Sequence, residues 1–269
     1  MRIRFYSVDE TDREIIFNLL KNGRVSQNKL AKIVNLAPPS LNARFKRLID
    51  EGIIRDFKVF INPNLINKYF AYYAFPNLRE AHSDKIFVKF NCLENFNVYG
   101  FLGNSINEIR ETVRGIEAEV GNPIMEYLPP QSPLKPKKLH LLLLRTLVEN
   151  PRAEMGEIAH ALNLKVSKVK RLMSELKGVT IIPEVDLIKA DSLLLGVFTK
   201  KVDEIRNITN RFSIITISGV LGGVDVSFVG SIRNAKEIVD KVRGVDPQAQ
   251  VMLVYNYEIR TDTRNLELE

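Results

Sequence analysis

The feature that most constrains the fold of this chain is an internal repeat. Residues 19–52 align without a gap on residues 147–180, at a constant shift of 128 positions. Most of the matches fall on apolar positions at helical spacing, for example Leu48 on Leu176. Because the shared property is a core pattern, we predict that the chain folds one helical unit twice.

A second repeat follows each helical copy. Residues 101–115 resemble residues 228–244 once a gap of two residues is allowed. A chain of 269 residues is long enough for two to four domains. We therefore divide the chain into A–B–A′–B′, a basic helical unit and an αβ unit that each occur twice.

Unit A is predicted to hold three helices and a strand-forming segment. Asp9 is an N-cap candidate, and Asp12 three residues later completes a capping box. Ser26 caps the second helix, and the prolines at 38–39 open the third helix. The buried side of the third helix is an apolar stripe made of Leu41, Phe45 and Leu48. Residues 53–62 place charges between β-branched and aromatic residues, which indicates a short strand pair or wing.

The positive charge of the chain is concentrated on the two helical units. The formal net charge is +7. Residues 1–62 carry +5 and residues 132–182 carry +6, whereas the remaining residues carry −4. Lysines scattered evenly over the surface would not separate the signs in this way. The distribution therefore predicts a polyanion as the partner of both helical units.

The third helix of A is predicted to contact double-stranded DNA through the side opposite its apolar stripe. A helix in the major groove needs Arg or Asn for base edges and Lys or Arg for phosphates. Asn42 and Arg44 are the candidates for base contacts. The other candidates suit phosphates or the start of the helix, and they are Arg24, Ser40, Lys46 and Arg47. The alternative is a charged face that meets only solvent.

The third helix of A′, predicted at 166–176, presents a different set of side chains. Its DNA-binding candidates are Lys165, Ser167, Lys168, Lys170 and Arg171. Lysine acts as a point charge and lacks the planar fork of arginine. The set therefore suits phosphate anchoring better than base reading, and whether A′ binds DNA is left open.

The segment 8–66 resembles the N-terminal domain of the Lrp/AsnC (feast/famine) transcription regulators. Its sequence is VDETDREIIFNLLKNGRVSQNKLAKIVNLAPPSLNARFKRLIDEGIIRDFKVFINPNLI. The match includes the DxxDxxII opening, the GRVS segment before the second helix and the closing FKRLIDEGII. The resemblance implies a sequence-specific transcription regulator, with a winged helix-turn-helix domain whose recognition helix enters the major groove.

The resemblance also implies a ferredoxin-like βαββαβ effector and assembly module after each helical domain, and hence an α+β fold. We predict a winged helix-turn-helix domain at 1–62 and a ferredoxin-like module with a shortened first helix at 63–131. A second, diverged winged helix-turn-helix at 132–186 and a second module at 187–262 follow, with a tail at 263–269.

The chain departs from the usual pattern of this family in its number of domains. Family members generally carry one helical domain and one module per chain, and they pair their sheets between subunits. Two such pairs in one chain resemble a fused, asymmetric dimer. We therefore predict an intramolecular pseudo-dimer in which B and B′ pack sheet to sheet. Domain-swapped pairing between chains, as in a homodimer, is the alternative.

A small-molecule effector is a further expectation that the resemblance carries. Family members often bind small amino acids near the turn between the two central strands of the module. In B′ this turn is 218–225, and the possible effector-binding residues are Gly219, Gly222, Gly223 and Asp225. The alternative is a plain hairpin turn in which the glycines only provide positive φ angles.

Two other functions remain as alternatives. The first is a nonspecific architectural DNA-binding protein, because A′ is rich in lysine. The second is an enzyme on the same architecture, such as a decarboxylase of haem precursors. The chain has three histidines and no HExxH, P-loop or GxGxxG motif, so we predict no enzymatic activity, no cofactor and no metal.

The remaining composition points to the cytoplasm. The single cysteine, Cys92, excludes a disulfide framework within one chain. No apolar run approaches the ~18 residues that a membrane span requires. The first residues lack the apolar core of a signal peptide. We therefore predict a cytoplasmic protein that makes no membrane contact.

Overall fold

The computed structural model describes residues 7–219, 222–261 and 266. These residues form two compact units that are not contiguous in sequence. Unit 1 takes its described residues from the ranges Met1–Asp56, Asn91–Glu94 and Pro183–Tyr257. Unit 2 takes them from Phe57–Phe90, Asn95–Ile182 and Glu258–Glu269. Each unit thus joins a helical copy to the αβ module of the other repeat, A with B′ and A′ with B.

The helices of A are α1 (Glu10–Lys21), α2 (Gln27–Ile33) and α3 (Pro38–Asp50). The predicted capping box is present, because Asp9 accepts a hydrogen bond from the Asp12 N–H at 2.9 Å and donates its own N–H to the Asp12 carboxylate. The following strand is β1 (Ile54–Ile61). Of the two expectations for 53–62, a strand pair or a wing, the strand pair is wrong, since this stretch forms one strand of eight residues.

The helices of A′ repeat those of A. They are α5 (Lys138–Glu149), α6 (Met155–Ala161) and α7 (Val166–Glu175), followed by β6 (Val179–Val185). The bounds of α5 and α6 equal those of α1 and α2 after a shift of 128. The turn before the third helix is also the same, since Asn35 has φ 51° and Asn163 has φ 50°. The repeat that the sequence indicates is therefore a repeat of backbone structure.

Module B lies in unit 2 and has one helix. Its elements are β2 (Tyr69–Pro76), β3 (Ile86–Cys92), β4 (Phe96–Gly103), α4 (Ile106–Val120) and β5 (Met125–Tyr127). The strands are antiparallel in the order β5-β2-β4-β3, and α4 packs on one face over Tyr99 and Phe101. The shortened first helix predicted for B is absent, because residues 77–85, all of them described, form turns and irregular chain.

Module B′ lies in unit 1 and has the complete βαββαβ order. Its elements are β7 (Leu193–Thr199), α8 (Val202–Thr209), β8 (Ser213–Gly219), β9 (Gly222–Val229), α9 (Ile232–Val245) and β10 (Gln250–Ile259). The strands are antiparallel in the order β10-β7-β9-β8. Both helices pack on one face through residues such as Ile205 and Ile238. The chain therefore has an α+β fold with winged helix-turn-helix and ferredoxin-like parts.

In unit 1 the helical copy A is held against residues that follow β6. The Arg13 guanidinium lies 3.3 Å from the Asp191 carboxylate, and Arg55 lies 2.6 Å from Asp186. The pair at Asp186 is the more buried of the two, and the Asp186 N–H also donates a hydrogen bond to the Ile53 carbonyl oxygen at 2.8 Å. A is thus anchored to a segment that lies more than a hundred residues away in sequence.

In unit 2 the corresponding contact is apolar. Leu141, which the shift of 128 places at the position of Arg13, is buried in one cluster with Val59, Ile61 and Leu266.

In the part of the chain that the structure describes, no helix is both long and apolar enough to cross a bilayer.

Candidate nucleic-acid interface

Helix α3 has the buried stripe that the sequence predicts. Leu41 and Leu48 have no exposed surface, and Phe45 is half-buried. Prolines at the first two positions of the helix suit its unpaired N-terminal turn. With this stripe inward, Ser40, Asn42 and the later cations lie on the opposite side.

Four of the six candidates in A are exposed on α3. Ser40 and Asn42 lie on its first turns, and Lys46 and Arg47 follow one turn later. The Lys46 ammonium lies 2.6 Å from the Asp50 carboxylate, yet three quarters of its side chain is exposed. An exposed pair of this kind is weak, so Lys46 is available to a phosphate.

Arg44 does not have the position that a base-reading residue requires. Its guanidinium Nη1 lies 2.7 Å from Asp9 Oδ2 and 2.9 Å from Asp12 Oδ1. The two hydrogen bonds to these carboxylates raise the pKa of Arg44. Asp12 is fully buried, and a buried carboxylate requires a paired cation. Arg44 is therefore used inside the domain, where it joins α3 to the start of α1.

The internal role of Arg44 could be inferred from a helical wheel of α3. Arg44 follows Leu41 by three positions and precedes Leu48 by four, so it lies on the same side of the helix as the apolar stripe. The two aspartates of the capping box supply the partners. The assignment of a base contact to Arg44 overlooked both observations.

The remaining cations of A lie at the edge of α3. Arg47 Nη2 is 3.9 Å from Asp12 Oδ1, with 43% of its side chain exposed. Arg24 lies in the turn between α1 and α2, where burial lowers the pKa of its half-buried guanidinium. Both side chains lie close enough to the surface of A to reach the phosphates of a nucleic-acid backbone that crosses it.

Helix α7 exposes the predicted lysine-rich set. Lys165, Ser167, Lys170 and Arg171 are exposed, and Lys168 is half-buried. Lys165, Ser167, Lys168 and Arg171 line a shallow, open depression together with Asn163 and Leu164. Three cations around one depression, with the exposed Lys170 on the same helix, form a surface that attracts phosphate groups.

The buried contact beneath α7 differs from the one beneath α3. The shift of 128 places Leu172 at the position of Arg44 and His140 at the position of Asp12. Leu172 is buried, and His140 Nε2 lies 2.9 Å from Glu175 Oε2. The hydrogen bond from His140 lowers the pKa of Glu175.

The predicted effector turn is described in part. Gly219 ends β8, whereas Val220 and Leu221 lie outside the described residues. At Gly222, with φ +133°, a Cβ atom would lie 2.6 Å from the Thr199 carbonyl oxygen. At Gly223 it would lie 2.4 Å from the Ile217 carbonyl oxygen. Both glycines are therefore required by the backbone, whether or not a ligand binds there.

Asp225 follows this turn and is fully buried. Its carboxylate accepts hydrogen bonds from Ser213 Oγ and Thr216 Oγ1 at 2.8 Å each, and from Ser227 Oγ at 3.0 Å. Within the described part of the chain, Asp225 makes no ion pair. Three hydroxyl groups thus hold a buried carboxylate in place of a cation.

Comparison with known proteins places the helical copies in a DNA-binding class. A family model described as winged helix-turn-helix DNA-binding matches residues 8–55 and 137–177, one segment in A and one in A′. The HTH-type transcriptional regulator YezC of Bacillus subtilis is 29% identical over 115 residues, 41% of this chain and 81% of that protein. LrpA of the same organism, also an HTH-type transcriptional regulator, is 35% identical over 71 residues, 26% of this chain.

The two helical copies are therefore similar to winged helix-turn-helix domains. Over these and adjoining residues, the chain is similar to transcriptional regulators of the Lrp/AsnC type. It spans about half the length of LrpA, 51% of that protein. Among solved structures, the siroheme decarboxylase NirDL covers 94% of this chain, and the match covers 93% of that chain, at 13% identity with a TM-score of 0.47. A similarity at this level carries no functional argument.

Proposed function

We propose that this protein is a sequence-specific DNA-binding transcription regulator whose helix α3 enters the major groove. The observation that carries the proposal is the exposed side of α3. Ser40, Asn42, Lys46 and Arg47 share a helix that is fixed by buried leucines and by the Arg44 ion pairs. A rigid helix with a short amide early and cations later has the chemistry for base edges and phosphates.

We propose separate roles for these side chains. Asn42 hydrogen-bonds a base edge, since the amide of asparagine matches the donor and acceptor of adenine, and Ser40 supports it. Lys46, Arg47 and Arg24 neutralise phosphates. Arg44 is a positioning residue that fixes the angle of α3 against α1.

The lysine-rich surface of α7 is proposed as an anchor on the DNA backbone. Lys165, Lys168, Lys170 and Arg171 would contact phosphates, and the Ser167 hydroxyl can donate to one. Four such contacts would add a strong dependence of affinity on salt. The pseudo-dimer formed by B and B′ stays a prediction.

We also propose that a small amino acid regulates DNA binding through the turn of B′. The support is the glycine-rich turn that holds Gly219, Gly222 and Gly223, whose base is fixed by the buried Asp225 carboxylate and its three hydroxyl partners. Thermal shift assays with single amino acids should detect a stabilising ligand in the wild type and lose it in Asp225→Asn. A ligand that stabilises both proteins equally would contradict this site.

An architectural DNA-binding protein is the second candidate, because the α7 surface carries lysines with no means of reading bases. The two candidates differ in specificity. A regulator should bind its operator by orders of magnitude more tightly than random DNA, whereas an architectural protein should not. Selection from a random duplex library, followed by footprinting, measures this ratio directly. Neither candidate includes an enzymatic step.

The sharpest test of the role of α3 is Asn42→Ala. We expect a loss of about 1–3 kcal/mol in binding to the selected site, with relaxed preference at one base position, because a base contact is removed. Asn207→Ala, an exposed asparagine on α8, is the matched control and should bind as the wild type. Equal weakening on all sequences would instead make Asn42 a phosphate contact.

A further inference from the structure

The two helical copies are equivalent as frameworks. The first two helices of each copy have the same bounds after the shift of 128, and the turns before α3 and α7 have the same left-handed asparagine. Helix α7 begins at Val166, the position that corresponds to Pro38 at the start of α3. Each outward position of α3 can therefore be paired with one position of α7.

The outward side chains at the paired positions are different. The pairs, with the residue of A given first, are Ser40 and Lys168, Asn42 and Lys170, Ala43 and Arg171, Lys46 and Ser174, and Arg47 and Glu175. No pair is identical, although the buried positions of the two helices stay apolar, as in Leu41 and Val169, and in Leu48 and Leu176. The two surfaces that face away from the cores therefore carry unrelated chemistry.

The two helices also differ in where the polar and the positively charged side chains lie along their length. In α3 the amide and hydroxyl groups come first and the cations Lys46 and Arg47 come last. In α7 the cations come first, and the position of Arg47 is taken by Glu175, which pairs with His140 and Arg171. An acid at that position repels a phosphate, and lysine lacks the geometry to distinguish base pairs. The two helices thus cannot make the same contacts on the same sequence.

We infer that the DNA bound by this chain is non-palindromic: α3 specifies one half of the site by its bases, and α7 holds the other half through phosphates. The inference rests on the proposed function. Dimeric regulators bind palindromes because their symmetry gives both halves the same helix. In a chain that contains both copies, each copy can acquire substitutions independently. The two helices therefore need not recognise the same half-site.

The test uses the full-length protein and a duplex obtained by selection from a random library. Each base pair of the selected site is replaced in turn, and the dissociation constant is measured at fixed salt. We expect replacements in one half to weaken binding about tenfold each and replacements in the other half to weaken it about twofold or less. A palindrome built from the specified half should bind no more tightly than the selected site.

A grafted variant makes the test independent of the selection. It carries Lys168→Ser, Lys170→Asn, Arg171→Ala, Ser174→Lys and Glu175→Arg, which copy the outward side of α3 onto α7. We expect this variant to prefer the palindrome over the original site by about tenfold, as two equivalent readers would. A second graft without Glu175→Arg keeps the His140 pair if the first graft unfolds, and circular dichroism reports the folding of both.

The outcomes separate the two claims. If both halves of the selected site respond equally in the wild type, or if the wild type already prefers the palindrome, the asymmetry is wrong while the regulator stands. If no duplex is selected over random DNA, the proposed function is wrong, and this inference falls with it.

Discussion

Copies A and A′ have the same arrangement of three helices but differ in the contact between the first and the third helix. Where the first and third helices meet, A has the buried Asp12 paired with Arg44, whereas A′ has His140 and the buried Leu172. The apolar frame around both positions is preserved. The repeat thus keeps one apolar pattern and one backbone arrangement around two different central contacts, a charged one in A and an apolar one in A′.

The difference has a consequence for the third helices. In A, the angle of α3 depends on a charged contact that fails if either partner is lost. In A′, the angle of α7 depends on apolar packing at the same point. Three substitutions or conditions test this contrast.

The largest effect should follow Arg44→Ala. It leaves the buried Asp12 carboxylate without its close counter-charge, and we expect unfolding of A to become easier by about 3 kcal/mol. Hydrogen exchange of α1 and α3 measures this locally. Adding Asp12→Asn should recover part of the loss, because a neutral amide needs no cation. Unchanged exchange in Arg44→Ala would show that Arg47 alone compensates for Asp12, and the contrast with A′ would disappear.

Acid should weaken A in a way that has no counterpart at the same position of A′. Burial would raise the pKa of Asp9, but the hydrogen bonds from the Asp12 N–H and Arg44 outweigh it and lower the pKa below its ordinary 3.8. A lowered pKa stabilises the folded state above the unfolded pKa, and this stability is lost as the pH falls through the folded pKa.

The test of this linkage is hydrogen exchange of α1 and α5 between pH 5 and pH 2. We expect protection of α1 to fall below about pH 4 and to fall less in Asp9→Asn, whose side chain no longer titrates. In A′, Lys137 occupies the position of Asp9, and α5 is compared in Glu175→Gln, which removes the acid-sensitive contact of Glu175 with His140. An α1 that keeps its protection down to pH 2 would contradict the linkage.

The smallest effect concerns Lys46→Ala. Its loss should change stability by less than about 0.5 kcal/mol, but it should reduce the slope of log affinity against log salt by about one, because one phosphate contact is removed. Lys236→Ala is a matched control, since Lys236 is equally exposed and pairs with an aspartate four positions later, as Lys46 does. A slope that changes equally in both variants would place Lys46 away from the DNA.

The sequence was sufficient for the three helices of A and for the two buried leucines of α3. Leu41 and Leu48 are at helical spacing, and their burial follows from local geometry alone. The inward turn of Arg44 was also accessible, since it lies between these leucines on the helical wheel. The shortened helix expected in module B was wrong because a family pattern was imposed on residues 77–85, which have no amphipathic stripe of their own.

The pairing of A with B′ could not be predicted from local patterns. The contact between Arg13 and Asp191 joins residues separated by 178 positions. Such a contact depends on charges at two distant places, and no periodicity in the sequence reports it. For the same reason, the hydroxyl groups around Asp225 were not foreseen, although the aspartate itself was a candidate.

The crossed composition of unit 1 also sets an order of events during synthesis. Asp56, the last residue of the first segment of unit 1, leaves the ribosome well before Pro183 and the strands of B′ that complete the unit. At typical translation rates the interval is on the order of ten seconds. During that time Arg13 and Arg55 lack Asp191 and Asp186, the aspartates with which they pair in unit 1. The helices of A are therefore made before the residues against which they pack. A nascent chain arrested before residue 183 should therefore expose these two cations to solvent, nucleic acid or chaperones.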